Sequence, residues 1–400
     1  MSRSATVRDL RRRNRAHVLR ALLRSGESTR AALARECSLS AGTATNVVTD
    51  LIEEGLVEEI GQIPSDGGRP ISRLSPRGDS AYFIGADVGE HGITAELFDL
   101  QLHRTDRVFV RVQRRSLGPN AIRDALAEAV SSLRDRNAVV DRRVVGVGLG
   151  LPGVVEQTPD GRTTVDTQSL GWQPIDLREL FPDTSLPVFA ENGAKTMAMA
   201  EAWLGAAKSA RHCIAALVGR GIGAGFLHDG SLLRGLTGSA GEWGHTKVAV
   251  RGRACRCGGA GCLEAYVGGT SIIERWAEAG APTTVDEEGE LARLLDLADR
   301  GDDTAARVVD ETIEILGIGL ANLVNLFNPE VIVLGGWVGL ALAGARLDDL
   351  AQQVDANCLV RPASVVRLEI SQLGGDAVAL GAALLPLQEL VEDRLAPSPA

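Results

Sequence analysis

Three thiols and one imidazole form the most specific chemical pattern in this 400-residue sequence. Cys255, Cys257 and Cys262 lie within eight residues, and His245 stands ten residues before the first of them. Three thiolates and one imidazole complete a closed tetrahedral shell, which is typical of structural rather than catalytic zinc. The pattern therefore predicts a structural Zn²⁺ site, with a redox or free-thiol role for these cysteines as the alternative.

A second candidate site lies in the stretch "PVFAENGAKTMAMAEAWLGAA", residues 187–207. It reads as a short strand, a polar break at Glu191-Asn192-Gly193 and an alanine-rich helix. Open α/β sheets usually bind ligands at the carboxyl end of a strand that faces a following helix. Gly193 occupies a position where a chemical site would place a functional side chain.

The elements around these residues form a repeated α/β pattern. "AYFIGADVGEHGITAELFDL" reads as strand, tight turn and strand, with Asp87 near the end of the first strand. A similar succession begins at His212 and leads to the strand "EVIVLGGWVG". The repetition predicts a duplicated α/β body with a cleft between its halves. The glycine turns at 221–225 and 335–336 could let the backbone approach a nucleotide, or could be ordinary tight turns.

The first 80 residues predict a winged helix-turn-helix. Three helical patterns are followed by two short strands around a "GGRP" tip. Thr43, Thr45 and Asn46 lie near the start of the third helix, where side chains reach base edges in the major groove. Arg69, at the tip of the wing, could enter a minor groove. A three-helix protein-interaction module is the alternative.

The charge of the chain is unevenly distributed. The net charge is −10, yet residues 1–36 contain ten arginines and only three acidic residues. A basic end on an acidic body predicts contact with phosphate, and a solvated arginine-rich helix face is the alternative. The sequence has neither a long uncharged apolar run nor the apolar core of a signal peptide, so we expect a cytoplasmic protein without a membrane partner.

Taken together, the motifs resemble the ROK family (repressors, open reading frames and kinases), and specifically its transcriptional regulators. The most specific segment is Gly241-Glu242-Trp243-Gly244-His245, followed by the cysteine-rich run from Cys255 to Glu264. The strand around Asp87, "LGLPGVV", "GRGIGAG" and "VIVLGG" support it in the right order. "SLSAGTATNVVTDLIEEGLVEE" and "GGRP" resemble the repressor branch, so the resemblance covers nearly the whole chain.

The resemblance implies an actin-like, ribonuclease-H-like α/β body that binds a hexose or related sugar in its cleft. By residue match, the side chains that would hold sugar hydroxyls are Asn192, Glu242, His245 and Glu264. The backbone near Gly153 would close the pocket. His245 would bind zinc through one ring nitrogen and face the sugar with the other. Glu242 as a helix-end cap and Glu264 as a surface charge are the alternatives.

The predicted domain boundaries follow from these motifs. The winged helix-turn-helix covers 1–80, the first α/β lobe 81–190 and the second α/β lobe, with the zinc site, 191–375. A C-terminal helix, within 376–400, is expected to return to the first lobe.

Two departures from the family's kinases bear on catalysis. Those kinases carry Glu-Asn-Asp, whose Asp deprotonates the attacking sugar hydroxyl, and here the third residue is Gly193. Loss of a general base commonly costs about 10²- to 10⁴-fold in rate. The family's Asp-x-Gly-Gly-Thr loop is Asp87-Val88-Gly89-Glu90-His91 here, and the negative charge of Glu90 should repel ATP phosphates. We therefore predict no catalytic residue and no enzyme activity.

The function predicted by these features is a sugar-responsive DNA-binding regulator, specifically a repressor. It would bind a double-stranded DNA operator as a homodimer or homotetramer, since palindromic half-sites need paired modules. The alternatives are a ROK sugar kinase fused to a DNA-binding domain, and a DNA-binding regulator with a non-sugar effector or none. Glucose, N-acetylglucosamine, xylose and related sugars are all alternatives, because selectivity among them depends on loop shape rather than on the shared carboxylates.

Overall fold

The computed structural model describes residues 6–64, 70–89, 91–112, 118–167, 170–182 and 185–395. These ranges form an N-terminal module followed by two α/β lobes. Within them, no helix combines the length and the apolar character that crossing a membrane requires.

Three helices and a hairpin form the N-terminal module: α1 (Val7–Ser25), α2 (Arg30–Glu36), α3 (Ala41–Glu53), β1 (Val57–Ile63) and β2 (Ile71–Pro76). Each helix starts after a hydroxyl side chain whose oxygen accepts a backbone N–H, namely Thr6, Thr29 and Ser40. Such caps satisfy donors that the first helical turn leaves unpaired. The strands pair antiparallel, so the winged helix-turn-helix architecture is confirmed.

The first lobe is a five-stranded sheet in the order β10-β6-β3-β4-β5. Its strands, the three short strands beside it and its two helices are β3 (Tyr82–Gly89), β4 (Gly92–Asp99), β5 (Arg104–Arg111), α4 (Pro119–Arg136), β6 (Val144–Leu151), β7 (Val154–Gln157), β8 (Thr163–Asp166), β9 (Ile175–Asp176), α5 (Leu177–Leu180) and β10 (Val188–Asn192). Strands β3 to β5 are antiparallel neighbours, whereas β6 and β10 run parallel to β3. The last strand of this sheet along the chain, β10, ends at Asn192. The predicted lobe boundary at residue 190 thus falls inside β10.

The second lobe repeats this arrangement in the order β13-β12-β11-β14-β15. Its elements are β11 (His212–Val218), β12 (Ile222–His228), β13 (Ser231–Leu232), α7 (Glu264–Val267), α8 (Gly269–Glu278), α9 (Glu287–Asp299), α10 (Asp303–Phe327), β14 (Val331–Gly335), α11 (Gly336–Asn357), α12 (Val360–Ala363) and β15 (Arg367–Ile370). Again three strands are antiparallel neighbours and two are parallel. The predicted duplicated α/β body is confirmed.

Two further helices, α6 (Gly193–Leu204) and α13 (Ala377–Val391), pack against each other between the lobes. Helix α6 lies on β11 and β12, while α13 returns to β3 and β6 of the first lobe, as the sequence predicted. The two helices approach so closely that a side chain at Gly381 of α13 would overlap the Thr196 carbonyl of α6, so the contact requires glycine.

The N-terminal module and the body share one hydrophobic cluster. Buried side chains of α1 and α3 join those of α6 and α13 in a continuous apolar core: Leu19, Leu22, Val48, Leu51, Met199, Trp203, Leu384 and Leu387. The winged helix is therefore packed onto the body.

Candidate functional site

A cavity of about 410 Å³ opens between the two lobes. The carboxyl ends of β3, β6 and β10 border it from the first lobe, and the turn between β11 and β12 borders it from the second. All five residues predicted to bind sugar line this one cavity: Gly153, Asn192, Glu242, His245 and Glu264. Residues separated by more than a hundred positions are thus brought together at strand ends, where α/β sheets place ligands.

Asn192 is mainly occupied by the backbone around it. Its Oδ1 accepts the N–H groups of Ala194 (2.9 Å) and Lys195 (3.3 Å), so it caps α6. Its Nδ2 donates to the Gly153 carbonyl at 2.7 Å. A side-chain amide has two N–H donors, which leaves one for a ligand. Asn192 thus holds the Gly153 loop in place and has less hydrogen-bonding capacity for hydroxyls than we predicted.

Glu242 and His245 face each other at the cavity. Glu242 Oε2 lies 3.9 Å from His245 Nε2. Burial raises the pKa of Glu242, and the nearby His245 opposes this shift. Among the described residues, the Glu242 side chain makes no capping hydrogen bond to the short helix that follows, so it is not the helix-end cap considered above.

Glu264 is buried, not a surface charge. The residue is 4% exposed, and its Oε2 accepts the Ile222 N–H at 3.1 Å. Its Oε1 lies 3.4 Å from the guanidinium of Arg256, which also donates to the Arg220 carbonyl. A buried carboxylate is stabilised by such partners, which here also fix its direction.

The four predicted metal ligands come together beside this wall of the cavity. Their donor atoms all lie within 4.8 Å of one another: His245, Cys255, Cys257 and Cys262. Cys257 Sγ is 3.7 Å from Cys262 Sγ, and Cys255 Sγ is 3.7 Å from His245 Nδ1. Donors about 2.3 Å from a tetrahedral ion lie about 3.7 Å apart, so the spacing fits zinc. Nδ1 faces the thiols while Nε2 faces Glu242, the two-sided arrangement that we expected of His245.

The thiols of this cluster have unequal surroundings. Burial raises the pKa of Cys255 to about 12, whereas the Gly259 N–H lowers the pKa of Cys257. Lys247, which sequence reasoning missed, donates from Nζ to Cys262 Sγ at 2.9 Å. A bound cation would itself deprotonate coordinating thiols.

Gly193 faces the cavity and has room for a side chain. A Cβ there would meet no atom closer than 3.7 Å, and the residue begins α6 with ordinary backbone dihedrals. Gly336, which also follows a strand, differs: its φ is +76°, and a Cβ would overlap the Val218 carbonyl. The fold requires glycine at 336 and does not require it at 193.

The predicted phosphate loop borders the same cavity. Desolvation raises the pKa of Asp87 to about 7, and the charge of Arg107 opposes the shift. His91 also lines the cavity, whereas Glu90 lies outside the described residues. Asp87 is thus only partly charged near neutral pH.

Two other charged residues near the cavity were missed. Lys195 is 1% exposed; its Nζ donates to the Gly238 carbonyl and lies 3.9 Å from Glu191 Oε1. Arg220 forms a buried ion pair with Glu287, 2.5 Å apart, at the cavity edge. Their burial was not evident from the sequence, because Glu287 lies 67 positions from Arg220 and Gly238 lies 43 positions from Lys195.

The residues predicted to bind DNA differ in their exposure. Thr45 and Asn46 are exposed on α3, in line with a base-reading role. Thr43 is half-buried and its hydroxyl is 2.8 Å from that of Ser40, so it belongs to the helix cap. Thr49, one turn after Thr45, is exposed on the same face and was missed. Arg69 lies outside the described residues.

Comparison with known proteins agrees with this architecture. Residues 83–389 match the sequence profile of the ROK family, and residues 5–67 match that of the MarR family. The chain is 28% identical to a xylose repressor of Caldicellulosiruptor bescii over 96% of this chain and 97% of that protein. It is 31% identical to a glucokinase of Halalkalibacterium halodurans over 77% of this chain and 96% of that protein.

One solved structure shares the fold over nearly the whole chain. It is a ROK family transcriptional regulator described as a homologue of the E. coli MLC protein. The TM-score is 0.78 at 23% identity, with 96% of this chain and 98% of that one covered.

Proposed function

The chain belongs to the ROK family, and from this premise we propose that it is a sugar-responsive, DNA-binding transcriptional repressor without kinase activity. One observation carries the proposal: an exposed recognition helix is packed onto a body whose cavity, lined by Glu242, His245 and Glu264, lacks a base at Gly193. Similarity to a xylose repressor over 96% of the chain supports it.

Sugar binding would depend mainly on the carboxylates. Glu242 and Glu264 offer oxygens to vicinal hydroxyls, and His245 Nε2 lies beside Glu242. The remaining N–H of Asn192 and the backbone at Gly153 would complete the pocket. Directional hydrogen bonds in the cavity would give selectivity, because a hydroxyl out of place leaves a buried polar group unpaired.

A structural Zn²⁺ would be held by His245, Cys255, Cys257 and Cys262. The ion would supply a fixed tautomer and orientation for His245, since coordination at Nδ1 leaves the proton on Nε2. His245 would then donate toward Glu242 or a sugar hydroxyl. The cysteine-rich loop would also place Arg256 against Glu264.

Phosphoryl transfer is unsupported by the cavity. No side chain at 193 can accept a proton from the sugar, although the position has room for one. The pKa of Asp87, about 7, leaves a weakened charge where the phosphate loop of the kinases begins.

DNA binding would use α3 in the major groove of a double-stranded operator. Thr45, Asn46 and Thr49 face outward there. Arg8, Arg12 and Arg13 of α1 are exposed and could contact phosphates. A palindromic operator would require a homodimer or homotetramer, and a regulator of this kind would act in the cytoplasm.

The proposal is tested by adding sugar to a protein–DNA complex. A duplex selected from random sequence by the full-length, zinc-loaded chain would be bound and monitored by fluorescence anisotropy. D-xylose, D-glucose and N-acetyl-D-glucosamine are then added in turn. We expect at least one of them to weaken DNA binding about tenfold or more. A complex indifferent to all three, with calorimetry detecting no sugar binding, contradicts the proposal.

A further inference from the structure

Two helices begin at the cavity and end beneath the DNA-binding module. Asn192, Gly193 and Ala194 at the start of α6 line the cavity, as do Ala377 and Val378 at the start of α13. The far half of each helix, about 15–20 Å away at 1.5 Å per residue, enters the hydrophobic cluster shared with α1 and α3.

These two helices are held to each other and to the sheet by backbone contacts. A side chain at Gly381 of α13 would overlap the Thr196 carbonyl of α6. Side chains at Gly85 and Gly148 would likewise overlap α13 carbonyls, those of Ala379 and Ala382. No flexible side chain cushions such contacts, so a displacement at the cavity end is carried along the helix.

Arginines of α1 hold the far ends of both helices. Arg24 Nη2 donates to the carbonyl of Ala202 (3.2 Å) in the last turn of α6 and to that of Lys208 (2.8 Å) in the turn that follows α6. Arg15 Nη1 donates to the carbonyls of Leu390 (3.2 Å) and Val391 (3.1 Å), the last residues of α13. Terminal helix carbonyls carry partial negative charge and lack intrahelical donors, so a guanidinium is a favourable partner.

Unlike Arg24, Arg15 also binds the end of the predicted recognition helix, α3. Its Nη2 lies 2.6 Å from Glu54 Oε2, and its Nε donates to the same carboxylate. Glu54 is the C-cap of α3 and directly follows its last residue, Glu53. Arg15 is only 9% exposed, so water cannot readily replace its buried bonds to the α13 carbonyls, whereas the Glu54 side chain is 39% exposed.

We infer that Arg15 is the positioning residue through which the sugar cavity sets the orientation of the recognition helix. The rigid fork of a guanidinium binds the end of α13 and Glu54 at the same time. A shift of α13 when sugar enters must therefore either move Glu54, and α3 with it, or break one of the two attachments. The inference rests on the proposed function, since it assigns the route by which that function is regulated.

The test measures coupling rather than binding. For each full-length, zinc-loaded variant, DNA affinity is measured with and without a saturating sugar from the three named above, using the selected duplex. The coupling factor is the DNA affinity without sugar divided by the DNA affinity with sugar. We expect a coupling factor of about tenfold or more for the wild type and below about twofold for Arg15→Gln. The sugar Kd of Arg15→Gln, from calorimetry, should stay within about threefold of wild type.

Two variants make the result specific. Arg20→Gln removes the same charge from the same helix. Within the described part of the chain, the ion pair of Arg20 is with Glu392, at 3.9 Å, and Arg20 has no bond to α3, so the coupling factor of this variant should match wild type. General loss of phosphate attraction cancels in the ratio, because it weakens both DNA measurements equally. Glu54→Gln weakens the attachment to α3 by removing its negative charge, leaves the bonds to α13 in place, and should lower coupling in the same direction as Arg15→Gln.

A folded Arg15→Gln protein with the wild-type coupling factor would overturn the inference. If that variant fails to fold, Glu54→Gln decides the question in the same way. A wild-type protein that binds sugar without any change in DNA affinity would instead refute the repressor proposal, and the coupling role with it.

Discussion

The two walls of the interlobe cavity are built on sheets of the same topology but carry different chemistry. The first-lobe wall contains the Asn192 amide, which caps α6, the backbone turn at Gly153 and the Asp87 carboxyl group, whose pKa is raised. Gly193 supplies no base to this wall. The second-lobe wall consists of Glu242, His245 and Glu264, with the four-residue metal-binding cluster beside them. The proposed sugar-binding carboxylates are thus concentrated beside the proposed metal site, and the first-lobe wall has glycine at position 193, where the family's kinases have a catalytic base.

Removing the metal should have the largest effect, because the second-lobe wall would lose its scaffold. Without an ion, nothing holds His245 Nδ1 among the thiols, and Nε2 is free to turn from Glu242. We expect chelation, or Cys257→Ser, to weaken sugar binding at least about 100-fold in calorimetry. Cys358→Ser is the control, since Cys358 contacts Ala321 outside the cluster. Unchanged sugar affinity in protein shown by elemental analysis to be metal-free would break the comparison.

Glu264→Gln should have the next largest effect. The substitution keeps the shape but removes the charge that Arg256 and the Ile222 N–H stabilise. We expect sugar affinity to fall about 10- to 100-fold, in line with the loss of a charged hydrogen bond. Glu288→Gln, at another carboxylate bordering the cavity, should change affinity less than about twofold. Equal losses in both variants would mean that general cavity charge, not the second-lobe wall, binds the sugar.

Gly193→Asp should have a small effect, although it restores a carboxylate to the first-lobe wall. The position has room, so we expect a folded protein with sugar affinity within about threefold of wild type. Sugar-dependent ADP release should stay within about tenfold of background, far below what a general base contributes in a competent site. The loop Asp87-Val88-Gly89-Glu90-His91 still lacks the family's threonine and contains an acidic residue. Robust turnover would show that only the base was missing.

The smallest expected effect is the pH dependence of stability at Asp87. Burial raises its pKa from the ordinary value of 3.8 to about 7, so the folded state favours the neutral acid. Its stabilising contribution is complete below about pH 4 and is lost as the pH rises toward 7. Asp87→Asn removes this titration, so its Tm advantage over wild type should grow between pH 6 and 7 and level off above. A constant difference from pH 6 to 8 would contradict the raised pKa.

Sequence reasoning recovered the parts of the site whose members lie close together in the chain. The metal ligands occupy 18 consecutive positions and came together as predicted. The sugar-binding set was carried by family resemblance, and all of it lines one cavity. The duplicated α/β body also followed from repeated local patterns.

What the sequence did not reveal depends on distant partners and on competition for hydrogen bonds. Asn192 and Thr43 have side chains that suit ligands, but nearby backbone or hydroxyl groups occupy them first. Arg15 read as one of many basic residues on α1, because its partners at the end of α13 are 375 and 376 positions away. Only the assembled fold distinguishes such a buried arginine from an exposed one.

The hydrophobic cluster shared by the winged helix and the body also constrains protein engineering. Modular regulators are often retargeted by exchanging DNA-binding domains at a linker, which leaves both cores intact. Here a graft of residues 1–80 would replace Leu19 and Leu22 against an unchanged α13 surface, leaving voids or overlaps in a common core. A working chimaera would have to transplant the apolar face of α13 and the partners of Arg15 along with the new reading helix.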